Sequence, residues 1–120
     1  MITTETILGT TVHGTPAGNY DGSSQDWFSD AVKAADYYRG RGGLQTIKFD
    51  LNGFQGRMTL QATLHSDAPN ANWFTTYELD ATVVPVTDII PQTVLGNFTW
   101  MRVEITGFEA GTINSITITY

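Results

Sequence analysis

Residues 45–64 read QTIKFDLNGFQGRMTLQATL, and this stretch decides the fold. From Gln45 to Leu51 apolar and polar residues alternate, with Ile47, Phe49 and Leu51 on one side and Thr46, Lys48 and Asp50 on the other. Successive side chains of a β-strand point to opposite faces, so a period of two marks a half-buried strand. Asn52-Gly53 is a turn signal, and the alternation resumes from Arg57 to Leu64, with Met58, Leu60, Ala62 and Leu64 inward. The two segments are expected to pair as a hairpin.

Working outward, a polar loop from His65 to Asn72 leads to a strand from Trp73 to Ala81, with Trp73, Tyr77, Leu79 and Ala81 on one face. Pro85 and Pro91 confine the next segment to an edge or a loop, because proline has no N–H for a central ladder. Phe98 to Thr106 reads as a central strand carrying Met101, Val103 and Ile105 on one face. After a Gly107 to Gly111 connection of hairpin type, the last strand, Thr112 to Tyr120, alternates Ile116, Ile118 and Tyr120 with Ser115, Thr117 and Thr119.

Upstream, Phe28, Ala31, Val32, Ala35 and Tyr38 follow helical spacing, and Asp26 or Ser29 could cap, so a short helix is expected within Trp27 to Tyr38. Residues 1–26 read as an irregular lead-in, rich in Gly, Thr, Ser, Asn and Pro, with a short strand near Thr6 to Val12 and the character of a docking arm. The domain proper is then 27–120. Several short strands joined by Gly, Asn and Pro loops indicate an all-β protein, an antiparallel β-sandwich of jelly-roll type.

Composition agrees. The chain has 120 residues, enough for one core. It is 41% hydrophobic and only 15% charged, which suits β structure better than helix. With 12 acidic and 6 basic residues its net charge is −6, and no basic stripe is present to neutralise phosphates, so no nucleic-acid partner is expected. Cysteine is absent, so neither disulfides nor thiolate metal sites arise. The start, Met1-Ile2-Thr3-Thr4-Glu5, lacks the basic and apolar regions of a signal peptide, and no stretch approaches the roughly 18 apolar residues of a membrane span. A soluble protein without a membrane partner is expected.

No residue set carries catalysis. His13 and His65 are far apart and lack ligand-spaced neighbours. Asp21-Gly22-Ser23-Ser24 lacks the strand and second glycine of a nucleophile elbow. Asp26, Asp30, Asp36, Glu78, Asp80, Glu104 and Glu109 fall mostly on outward faces or turns, as solvated charges do. Gly40, Gly42 and Gly43 make a turn, because no Lys-Ser or Lys-Thr follows to form a phosphate cradle. Loop oxygens of Asn19, Asp21 and Asp26 offer a weak case for calcium, without EF-hand spacing. No cofactor or metal is assigned. Asn97-Phe98-Thr99 matches a glycosylation acceptor by chance. The aromatic residues Trp27, Tyr37, Tyr38, Trp73 and Trp100 alone could sustain binding, to sugar rings or to a protein, although most such residues belong to cores.

The run Gly56-Arg57-Met58-Thr59-Leu60-Gln61-Ala62-Thr63-Leu64, followed by Pro69 and Trp73-Phe74, resembles a module of tailed-phage virion proteins, especially those of marine and cyanobacterial phages. Ala35-Asp36-Tyr37-Tyr38, Gly43-Leu44-Gln45-Thr46-Ile47, Gly96-Asn97-Phe98-Thr99-Trp100-Met101-Arg102-Val103, Gly107 and Gly111-Thr112-Ile113 extend the resemblance over Val32 to Tyr120. It implies a galactose-binding-like jelly roll and an extended rather than helical Val32 to Tyr38. It carries over no functional residue.

The function expected is that of a non-catalytic virion structural protein, a capsid decoration or small tail or fibre component. It would be assembled in the host cytoplasm, resident on the virion and present in many copies or as a homo-oligomer, with other virion proteins as partners. The alternative is a carbohydrate-binding module for host surface glycans, which requires two aromatic residues side by side in a loop-rimmed groove.

Overall fold

A computed structural model describes residues 2–37, 43–68 and 72–120. Its strands are β1 (Thr4–Leu8), β2 (Thr11–Val12), β3 (Trp27–Phe28), β4 (Val32–Lys33), β5 (Leu44–Thr63), β6 (Phe74–Asp80), β7 (Val86–Leu95) and β8 (Trp100–Thr119). All belong to one antiparallel sheet. The two 20-residue strands β5 and β8 form its spine, paired from Thr46 opposite Thr119 to Thr63 opposite Trp100. Strands β1 to β4 follow one another along the free side of β8, and β6 and β7 along the free side of β5. The all-β, antiparallel expectation holds.

Neither expected hairpin forms. Residues 45–51 and 57–64 do not pair with each other, because Asn52-Gly53 lies within the continuous strand β5. Gly107 to Gly111 likewise lies inside β8. In both strands the alternation slips instead of reversing. Ile47, Phe49 and Leu51 are buried at odd positions, then Phe54, Met58, Leu60 and Ala62 at even ones. In β8, Met101, Val103 and Ile105 give way to Phe108, and Ile113 to Ile116 and Ile118. Register shifts between Asp50 and Arg57 keep one face apolar along the whole strand while bending it. The glycines supply the backbone for this bend: Gly53, Gly107 and Gly111 have φ of 66°, 61° and 93°.

The bend folds the sheet upon itself, so that its apolar face closes into a core. Opposite ends of the spine come together: β1 touches β4, the Tyr120 hydroxyl donates to the carbonyl of Lys33 at 3.1 Å, and the Phe49 and Tyr77 rings lie 5.9 Å apart. One layer holds the first half of β5, the second half of β8, and β1, β2 and β7. The other holds the remaining halves with β3, β4 and β6. The result is sandwich-like, with both layers cut from one sheet.

The helix expected within Trp27 to Tyr38 is absent over the described residues, where β3, β4 and a turn at residues 35–37 stand instead. Trp27 points inward and Phe28 outward, a strand alternation. The Ser29 hydroxyl, a candidate cap, instead accepts the Val103 N–H at 2.9 Å. Tyr38 lies outside the described residues, as do Pro69 and residues 39–42 of the glycine turn. The lead-in is packed rather than free. β1 and β2 pair with β8, and Tyr20 is 1% exposed against Trp27 and Phe108. Pro91 sits on β7, opposite Lys48, at an edge where a missing N–H costs the ladder nothing.

Gln45 shares the inward parity of Ile47 and is fully buried. Its side-chain oxygen accepts the Ala35 N–H at 3.0 Å, and its amide nitrogen donates to the carbonyls of Gly43, Val94 and Gly96 at 3.0, 3.0 and 3.1 Å. One side chain thus ties together three chain segments at the closing end. Gln45→Leu keeps the volume but strands these groups away from water. It should lower stability by roughly 3 kcal/mol, the upper end of the cost of a buried unpaired polar group. Urea unfolding should show a lower midpoint with an unchanged slope.

Candidate functional site

With one face of the sheet consumed by the core, function must use the outer faces and the loop end. On the second layer, alternation along β8 turns Trp100, Arg102 and Glu104 outward between Lys33 and Phe28 on one side and Thr63, Gln61 and Thr59 on the other. The Arg102 guanidinium carbon lies 4.2 Å from the Phe28 ring centre and 4.4 Å from that of Trp73. Its Nε donates to the Gln61 side-chain oxygen at 2.8 Å. The two terminal nitrogens make no hydrogen bond to a described residue. Partial burial lowers the pKa of Arg102, with the Glu104 carboxylate opposing that shift, and the group remains a cation. Phe28 is 40% exposed, so the stack is open to solvent.

Beside this stack, Tyr37 meets Trp100 edge-to-face, with ring centres 5.2 Å apart, and the Lys33 ammonium lies 4.7 Å from the Tyr37 ring centre. Tyr37 also lines an open depression of about 410 Å³, together with Asp36, Ser66 and Thr99. Three loops build it and are tied to one another. Trp100 Nε1 donates to the Ser66 carbonyl at 3.2 Å, Thr99 Oγ1 to the carbonyls of Thr63 and His65 at 3.1 and 2.5 Å, and the Asp36 N–H to the Phe98 carbonyl at 3.0 Å. A second open hollow, about 360 Å³, is lined by Thr63, Leu64, His65, Asn72 and Phe74.

Of the aromatic residues singled out in the sequence, Tyr37 and Trp73 share this region with Trp100. Trp27 does not. It is 7% exposed, stacked on Tyr20 at 5.2 Å, and its indole N–H is buried without a partner, so it serves the core and not a surface contact. Tyr38 lies outside the described residues. Phe28 and Arg102 escaped notice in the sequence. The helical reading of residues 27–38 hid the outward turn of Phe28, and a lone arginine in an alternating strand reads as ordinary surface.

Several other polar groups are engaged locally. The His13 ring lies edge-on to Phe108, with ring centres 5.1 Å apart, and His65 Nδ1 accepts the Asp67 N–H at 3.0 Å. Arg57 faces Glu78 and Asp80 at 3.6 and 3.3 Å in an exposed cluster. The oxygens considered for calcium do not converge: Asn19 bonds Phe28 and Asp30, Asp26 accepts the Gly107 N–H, and Asp21 caps its own turn. Among the described residues no three His, Asp or Glu form a metal-binding group.

Asp21 accepts the Ser24 hydroxyl at 2.7 Å and the Ser24 and Ser23 N–H groups at 2.6 and 2.8 Å, which lowers its pKa from 3.8 to about 2. A depressed carboxylate stabilises the fold fully above its unfolded pKa and loses that contribution as pH falls through the folded one. The Asp21 carboxyl carbon should therefore titrate by NMR with a midpoint near 2, and Asp21→Asn should flatten the acid dependence of stability between 3.8 and about 2.

No family model matches the chain, and no curated protein sequence matches it either.

Proposed function

We propose that this chain is a non-catalytic structural subunit of a tailed-phage virion, a capsid decoration or small tail or fibre component, present in many copies. Its sandwich would be of the jelly-roll, galactose-binding-like type. The resemblance of Gly56 to Leu64 and of the flanking segments to virion modules supports this reading. The observation that carries it is the Phe28–Arg102–Trp73 stack.

Energetically dominant positions in protein interfaces are enriched in Trp, Tyr and Arg, held rigidly and shielded from water by their neighbours. Arg102 fits this description: two rings and Gln61 fix its guanidinium, and its terminal nitrogens, which bond no described residue, can meet an acceptor. A partner that covers the stack completes the desolvation and supplies the acceptor. Repetition around a symmetric particle makes weak single contacts sufficient.

Purified virions should contain this chain by mass spectrometry, and gold-labelled antibody should mark repeated positions on heads, tails or fibres. Arg102→Ala should lower its occupancy on particles, with a contact about tenfold or more weaker, as expected for an anchor worth 2 kcal/mol or above. Absence from the particle would overturn the reading.

A further inference from the structure

The depression at the loop end differs in chemistry from the Arg102 stack and does not depend on what covers that stack. We propose that the hollow bounded by Asp36, Tyr37, Ser66 and Thr99, with Trp100 behind it, binds one neutral hexose ring of a glycan.

Three observations select this ligand. First, Tyr37 lines the hollow and is 37% exposed, and Trp100, bonded to the Ser66 carbonyl of the same lining, stands edge-to-face behind it. The C–H face of a pyranose packs against such a ring through apolar contact, which costs little desolvation on either side. Second, polar groups without partners face the same space. Neither the Asp36 carboxylate nor the Ser66 hydroxyl makes a hydrogen bond to a described residue, whereas Thr99 Oγ1 has given its proton to backbone carbonyls and keeps lone pairs. A carboxylate accepts from vicinal hydroxyls, and a hydroxyl both donates and accepts. Third, the walls are tied to each other through Trp100, Thr99 and Asp36, so little ordering is needed on binding.

Charge decides between neutral and acidic sugars. Asp36 lines the hollow, the chain carries −6, and among the described residues the cation beside it, Lys33, lies over the Tyr37 ring. A uronate or sialate would bring its carboxylate against Asp36, and a neutral ring would not. Among the described residues the lining includes one carboxylate, where glycoside hydrolysis requires two, so the proposed role is retention of a sugar. With about a dozen heavy atoms at ordinary ligand efficiency, a single hexose should bind with a Kd on the order of 1 mM.

The test is NMR titration of the full chain with methyl glucoside, methyl galactoside and methyl mannoside, with sodium glucuronate as the charged comparison. At least one neutral hexoside should shift the Trp100 indole N–H resonance saturably, while the Trp27 indole stays still. Tyr37→Ala and Asp36→Asn should each weaken binding about fivefold or more, a loss typical of one removed contact, with unchanged unfolding midpoints. Tyr37→Phe should retain it. The proposal fails if no hexoside moves Trp100 at concentrations up to about 50 mM, some fifty times the expected Kd. It also fails if glucuronate binds as tightly as the neutral sugars, or if shifts gather around Trp73 and survive Tyr37→Ala. None of these outcomes bears on whether the chain is found on virions.

Discussion

The structure depends on the close crossing of β5 and β8 at their glycine corner. Gly111 lies so near Gly53 that any Cβ on it would collide with the Gly53 carbonyl, and its φ of 93° disfavours any other residue. Gly56, at the same bend, would set a Cβ 3.0 Å from the Gly107 carbonyl and from the Phe54 ring. Backbones this close can pivot without prying the ladder open. Without the pivot the sheet would lie open, with one face apolar from Ile47 to Ala62, a surface that water opposes strongly. Folding at the corner buries that face against itself, so no second sheet or helix is required.

The far end closes the structure by different means. There the chain must end its strands, turn and return, and polar groups cannot all reach water. Gln45 and Tyr120 solve this by side-chain bonds between segments distant in sequence: Gln45 to Ala35, Val94 and Gly96, and Tyr120 to Lys33. Apolar packing tolerates small shifts, but these bonds do not, so they fix the register in which the two layers meet. Because the tie points are remote along the chain, the closing end forms only once the long strands have paired, which places this topology among slow-folding ones.

Much of this was legible in the sequence. Period-two alternation located both halves of β5 and of β8 and the strand β6, and gave most of the inward residues of β5 and β8. It did not locate β7, it turned the exposed Leu64 inward, and it put Trp73 on the face of Tyr77, from which the register shift between Leu60 and Gln61 separates it. It also misjudged what lies between the halves of β5 and of β8, because a glycine pair produces the same local signal in a hairpin turn and in a bulged corner. The distinction depends on a partner strand bending at the same place, and Gly107 and Gly111 are far from Gly53 in sequence. Parity across the turn was the unused clue. Leu51 and Phe54 have opposite parity and the same face, as a bulge of one residue demands. Gln45 was readable by the same parity, yet a polar residue at the head of a strand invites an outward assignment. The short strands β3 and β4 were hidden because two residues show no period, and the flanking Ala31 and Ala35 mimic a helix face. Tyr37 and Trp73 were legible as candidates by residue type alone. Arg102 was not, since nothing local to it announces Phe28 on one side and Trp73 on the other.

The two outer faces differ in what they offer to a partner. On the first layer Thr4, Thr119, Thr46 and Thr93 lie side by side across four strands, and their hydroxyls pair as Thr4 with Thr119 at 3.0 Å and Thr46 with Thr93 at 2.9 Å. Such a surface is content in water. That layer also exposes Leu44, Ile89 and Leu95, but along its β7 rim, where Leu44 opposes Leu95. The second layer sets Phe28, Trp73, Trp100 and Tyr37 around two cations on the outside of a sheet whose inner face already supplies the core. Apart from the loop tie made by the Trp100 indole, that aromatic area lies outside the core cluster. The contacts proposed above, with protein at Arg102 and with sugar at Tyr37, would account for its placement.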